Sequence, residues 1–123
     1  MSSKGQPIIG IEAQILKTHW ISKPFSEGTE ETLKKLLEVA NFRVRTDELE
    51  LDESWRHFIA YQLVFDPDGK VFMYQRGKNI GEKRLSGLFS IGVGGHIERR
   101  DFLKFGGGDP SYEGIISSAD REL

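Results

Sequence analysis

Residues 94–123 read GGHIERRDFLKFGGGDPSYEGIISSADREL, and the rest of the chain is best read outward from them. The second half of this stretch has the grammar of a helix. Asp109 is a candidate N-cap, which places Pro110 at the first helical position, where its missing N–H costs nothing. Tyr112, Ile115, Ile116, Ala119 and Leu123 recur at helical spacing and form one apolar stripe able to face a core. Glu113, Ser117, Arg121 and Glu122 lie off that stripe. Taken alone, this is an amphipathic surface helix with a solvated Arg–Glu face. Its charged residues, however, are spaced from a glycine as G-x5-E-x7-R-E-L, through Gly107, Glu113, Arg121, Glu122 and Leu123.

That spacing, with Gly94, Gly95, His96, Ile97 and Glu98 upstream, resembles the first two-thirds of the Nudix box of MutT-like diphosphate hydrolases. The family pattern is G-x5-E-x7-R-E-U-x-E-E-x-G-U, with U aliphatic. Here it stops at the first aliphatic residue, Leu123, so the chain is expected to be part of a longer protein. The resemblance covers about residues 58–123. It implies an α/β fold, a Nudix-like α/β/α sandwich with a mixed sheet, incomplete in this chain and carrying an N-terminal extension. It also implies hydrolysis of a P–O–P linkage in a nucleoside diphosphate derivative or related small molecule, with Mg²⁺ or Mn²⁺ as cofactor. Carboxylates gathered on one helical face make a hard-oxygen site for such ions, which neutralise a diphosphate and activate water.

By the same resemblance, Glu122 is a metal ligand or general base, and Arg121 holds carboxylates in place by ion pairing. Glu113 supports the loop–helix arrangement, and Gly94 or Gly95 offers a backbone carbonyl to the metal. The register has two readings. Counted from Gly95, the first-glutamate position falls on Asp101, but no Arg–Glu follows at the right distance. Counted from Gly107 the spacing closes, but the residues before it do not look like the usual strand. An insertion of about 12 residues in a loop, where insertions are tolerated, reconciles GGHIE with the helix. The glycines at 106–108 would then belong to the insertion.

The totals agree with a soluble domain. The chain has 123 residues, 37% hydrophobic and 29% charged, with net charge −2. That balance gives no electrostatic reason for a nucleic-acid partner. No apolar run is long enough to span a membrane, and no signal-peptide pattern opens the chain. No cysteine is present, so there is neither a disulfide framework nor a thiolate metal site. A cytoplasmic location is the plain expectation. Dimers are common in the family, so a homodimer is one option for an oligomeric state left open.

Residues 1–55 read as the N-terminal extension and 56–123 as the N-terminal part of the Nudix-like domain. Pro7–Leu16 is a short strand by partial alternation. Thr29 caps a helix whose Leu33, Leu36, Leu37 and Ala40 form the buried stripe, with Asn41 as its stop. The acidic run from Asp47 to Glu53 reads as a solvated face, because its carboxylates do not share one obvious ligand face. Phe58–Phe65 is apolar on both sides and reads as a central strand. Asp66-Pro67-Asp68-Gly69 is a turn, and Lys70–Arg76 returns as the second arm of a hairpin. Arg76 and Lys78, at the end of that arm, are the candidate substrate-phosphate contacts. Leu88–Val93 is a further strand entering Gly94.

Two other functions fit the same pattern. A non-catalytic Nudix-like module would keep the fold and bind a nucleotide or a protein. An isoprenoid-diphosphate isomerase on this fold generally needs a cysteine, which the chain lacks.

Overall fold

The computed structural model describes residues 4–19, 28–77, 87–103 and 107–123. At its centre is β1, Pro7–Glu12, flanked by antiparallel β2 (Asn41–Val44) and β3 (Trp55–His57). Ile8 and Ile9 point to opposite faces, as alternation requires, and both are fully buried. Ile9 joins Leu37, Ala60, Ile97 and Phe102, whereas Ile8 packs with Leu49 and Trp55. The residues read as an N-terminal extension therefore share one core with residues 60–102. Gly10 lets Trp55 lie across β1, since a Cβ there would fall 2.5 Å from both the Arg56 carbonyl and the Trp55 ring.

The strand expected over Pro7–Leu16 ends earlier, because α1 begins at Ala13 and runs to His19. Residues 13–17, Ala-Gln-Ile-Leu-Lys, have good helix propensity, and none of the described residues pairs with them as a strand. Helix α2 (Glu30–Val39) follows the sequence closely: the Thr29 hydroxyl accepts the Thr32 N–H, and Leu37 is buried. The acidic run forms a short helix, α3 (Asp47–Leu51), capped by Thr46.

The apolar run at Phe58–Phe65 is not one central strand. It breaks at Phe58, whose N–H donates to the Ile9 carbonyl. From there β4 (Ile59–Leu63) leaves the first sheet and pairs with β7 (Gly92–His96). Only Ala60 of β4 is buried, while Ile59, Tyr61 and Leu63 stay exposed. The hairpin turn forms as read. Asp66 Oδ1 accepts the N–H groups of Asp68 and Lys70, and Gly69 takes φ +83°. Its return arm narrows to the Phe65–Val71 bridge and β5 (Tyr74–Gln75), which pairs with β6 (Phe89–Ser90). A bend at Ile91 separates β6 from β7, so Leu88–Val93 is two strands rather than one. The fold class is mixed α/β, and all the strand pairs among the described residues are antiparallel.

Helix α4 (Tyr112–Glu122) lies on the β4–β7 pair. It starts two residues later than the Asp109–Pro110 reading, with Ser111 as N-cap accepting the Gly114 N–H. Its buried face is also rotated. Gly114 and Ser118 are the buried residues, whereas Ile116 and Leu123 are exposed. Phe102 fills the space beside Gly114, where a Cβ would come within 2.0 Å of its ring. The close approach selects a small residue over the larger apolar side chains of the stripe.

Candidate active site at the end of β7

Successive residues of a strand point to opposite faces. Gly95 therefore faces α4 and His96 faces away. The Glu122 carboxylate occupies the space that a side chain at 95 would take, since a Gly95 Cβ would lie 2.5 Å from Glu122 Oε1. This close contact between the strand and the last turn of α4 builds one wall of the site.

Arg121 builds the other. Its Nε and Nη2 grip the two Asp101 oxygens at 3.0 Å each, in a bidentate pair. Nη1 donates to Glu122 Oε1 at 3.1 Å and stands 3.2 Å from Glu98 Oε2. Nη2 also donates to the His96 carbonyl at 3.2 Å. The rigid fork of a guanidinium satisfies this set, and a single ammonium does not. The Asp101 hydrogen bonds raise the Arg121 pKa further. Burial opposes that shift, and the Asp101, Glu98 and Glu122 charges add to it.

Asp101 and Glu98 are positioned by a 3-10 helix at Arg99–Phe102 that follows β7 directly. The Glu98 N–H donates to Asp101 Oδ2 at 2.8 Å, and both residues are buried, at 2% and 5% exposure. Phe102 anchors the segment in the core. The carboxylates of Glu98, Asp101 and Glu122 thus face two guanidiniums, Arg121 and Arg100, leaving one negative charge over. Glu98 Oε1 is buried without a hydrogen bond; Arg100 Nε lies 3.1 Å away, an ion-pair distance without hydrogen-bond alignment. An all-oxygen cluster with surplus negative charge and an unsatisfied buried oxygen fits a hard divalent cation. Glu122, Glu98 and the backbone at Gly94–Gly95 are the residues able to hold it.

The residues singled out in the sequence are distributed unequally. Arg121, Glu122 and Gly95 come together. Gly94 turns to the other face, toward Tyr61. Glu113 is exposed in the first turn of α4, about 12 Å along the axis from Arg121. There it lines an open groove of about 940 Å³ with Tyr112, Asp101 and Arg121. Gly107 lies in an exposed turn at φ +65°. Arg76 is half-buried on the β5–β6 pair, its guanidinium over the Tyr74 ring and 3.4 Å from Ser90 Oγ. Lys78 lies outside the described residues.

Asp101 and Glu98 are the residues that sequence reasoning did not assign to the site. The signal for Asp101 was present, because it occupies the first-glutamate position counted from Gly95. In the structure Asp101 lies beside Arg121.

No protein-family model matches the sequence, and no curated protein matches it. The structure is similar to that of Tm1382, described as "a putative Nudix hydrolase", with a TM-score of 0.70 at 25% identity. The match covers 95% of this chain and 56% of that one, so the chain spans just over half of that protein's length. The chain has a mixed α/β fold that resembles a Nudix fold.

Proposed function

We propose that this chain carries catalytic-centre residues of a Nudix-type hydrolase, which cleaves a phosphoric anhydride with Mg²⁺ or Mn²⁺. One observation carries the reading: Glu122 is seated against Gly95 while Arg121, clamped by Asp101 and Glu98, fixes its carboxylate. Glu122, Glu98 and the Gly94–Gly95 backbone would hold the cation, which would supply charge neutralisation for the diphosphate and activation of water. Arg121 keeps Glu122 in one orientation, so the carboxylate is placed either to ligate the cation or to accept the proton of the attacking water. Arg76 supplies a guanidinium suited to a substrate phosphate oxygen. The substrate class is a small nucleoside diphosphate derivative or related compound, and the setting is cytoplasmic.

The test is Glu122→Gln in a protein containing this chain, assayed on a panel of nucleoside diphosphate derivatives with Mg²⁺ or Mn²⁺. Turnover should fall by about 10²–10⁴-fold while the circular dichroism spectrum is kept. Unchanged turnover removes Glu122 from the chemistry.

A second reading is supported by the helix itself. Among the described residues α4 gives the cluster one carboxylate, Glu122, and Asp120 is exposed. A binding module would retain the Arg121 clamp, bind nucleotide and show no metal-dependent turnover.

A further inference from the structure

The opposite face of β7 carries a second group of ligand-type side chains. His96 Nε2 lies 3.1 Å from His57 Nδ1 and 3.8 Å from Glu50 Oε1. One ligand atom from each residue falls within 4.8 Å of the other two. The three residues come from β7, β3 and α3. They line a shallow cavity of about 250 Å³ beside Trp55 and Asp52. We propose that Glu50, His57 and His96 form a binding site for a zinc-like transition-metal ion, with a fourth position open to solvent.

The distances carry the argument. Ligands at 2.0–2.1 Å from a tetrahedral zinc stand about 3.3–3.4 Å from one another. The 3.1 and 3.8 Å separations bracket that edge. The Glu50–His96 separation is too long for a hydrogen bond, so the carboxylate is not there to orient the imidazole directly. Its orientation comes instead from Arg45, which pairs with Glu50 Oε1. A carboxylate has about four lone-pair sites, so it can hold an arginine and a metal together. The mixed N,N,O set selects a borderline ion over Mg²⁺. Two histidines and a glutamate around an open position is a donor set that zinc accepts. Such an ion would tie α3 and β3, from the first half of the chain, to the strand that carries Gly95.

The experiment is titration of the untagged, chelator-treated full chain with Zn²⁺ by calorimetry, and with Co²⁺ by visible absorption. One ion per chain is expected, with the intense visible bands of tetrahedral Co²⁺ and no displacement by excess Mg²⁺. His57→Gln and His96→Gln should each weaken Zn²⁺ binding at least about 100-fold. Should either histidine variant fail to fold, Glu50→Gln on the more exposed α3 decides, with the same weakening expected. Absence of stoichiometric Zn²⁺ binding overturns the proposal and leaves the pair as an ordinary histidine–histidine hydrogen bond. Binding unchanged in the variants overturns it as well. Neither result bears on the hydrolase reading, which rests on the Gly95 face.

Discussion

Gly95 and His96 are adjacent in one strand, yet the two sides of that strand are built on different physical terms. On the Gly95 side the Arg121 guanidinium faces three carboxylates, two of them almost fully buried, and Arg100 adds a second guanidinium at Glu98. On the His96 side a half-exposed Arg45–Glu50 pair sits beside two imidazoles. Both sides pair opposite charges, but only the first removes them from water. Taking charges out of water makes each partner indispensable to the other, whereas a solvated pair is nearly optional.

The largest expected effect tests that difference directly. Arg121→Met leaves Glu98 and Asp101 buried without their shared cation and should cost about 3–5 kcal/mol, read as a lowered urea midpoint. A loss below about 1 kcal/mol would mean that the cluster is hydrated and that the two faces are alike.

A middle-sized effect probes the His96 side through pH. Burial, together with the Arg45 charge, pushes His96 down to about 4, only partly offset by Glu50. Its folded pKa lies below the ordinary 6.5, so the unfolded chain binds the proton first as pH falls. This contribution to stability is complete above about pH 6.5 and is lost progressively toward pH 4. In chelator-containing buffer the loss should be on the order of 2 kcal/mol, after allowance for solvent screening. His96→Gln should flatten that part of the stability–pH curve.

The smallest effect is expected for Arg45→Ala, which should cost at most about 1 kcal/mol. Burial works against the Glu50 charge, and the Arg45 hydrogen bond and charge more than compensate, helped by His96 and His57. A cost matching that of Arg121→Met would erase the contrast between the two faces.

What the sequence reveals follows the reach of each interaction. The Thr29 cap, the Asp66–Gly69 turn and the α4 helix are set by residues within four or five positions, and all are legible. The strand break at Phe58 is not, because an apolar run looks alike whether one sheet or two receive it. The buried face of α4 departs from its apolar stripe because Phe102 claims the space beside Gly114, and that contact is tertiary. The pairing of Arg121 with Asp101 spans 20 positions, and only the count from Gly95 hinted at it. The Glu50, His57 and His96 group gathers three elements that local patterning treats separately. The acidic run around Glu50 therefore read as solvated surface.

His96 itself belongs to both faces. Its carbonyl accepts from Arg121, while its ring meets His57 and stands near Glu50. One peptide unit is thus a shared boundary condition for two ion environments. If occupancy of either face displaces that unit, the two binding equilibria are coupled, and the coupling must be equal in both directions. The sign and size of that coupling are set by how far a single residue of β7 moves.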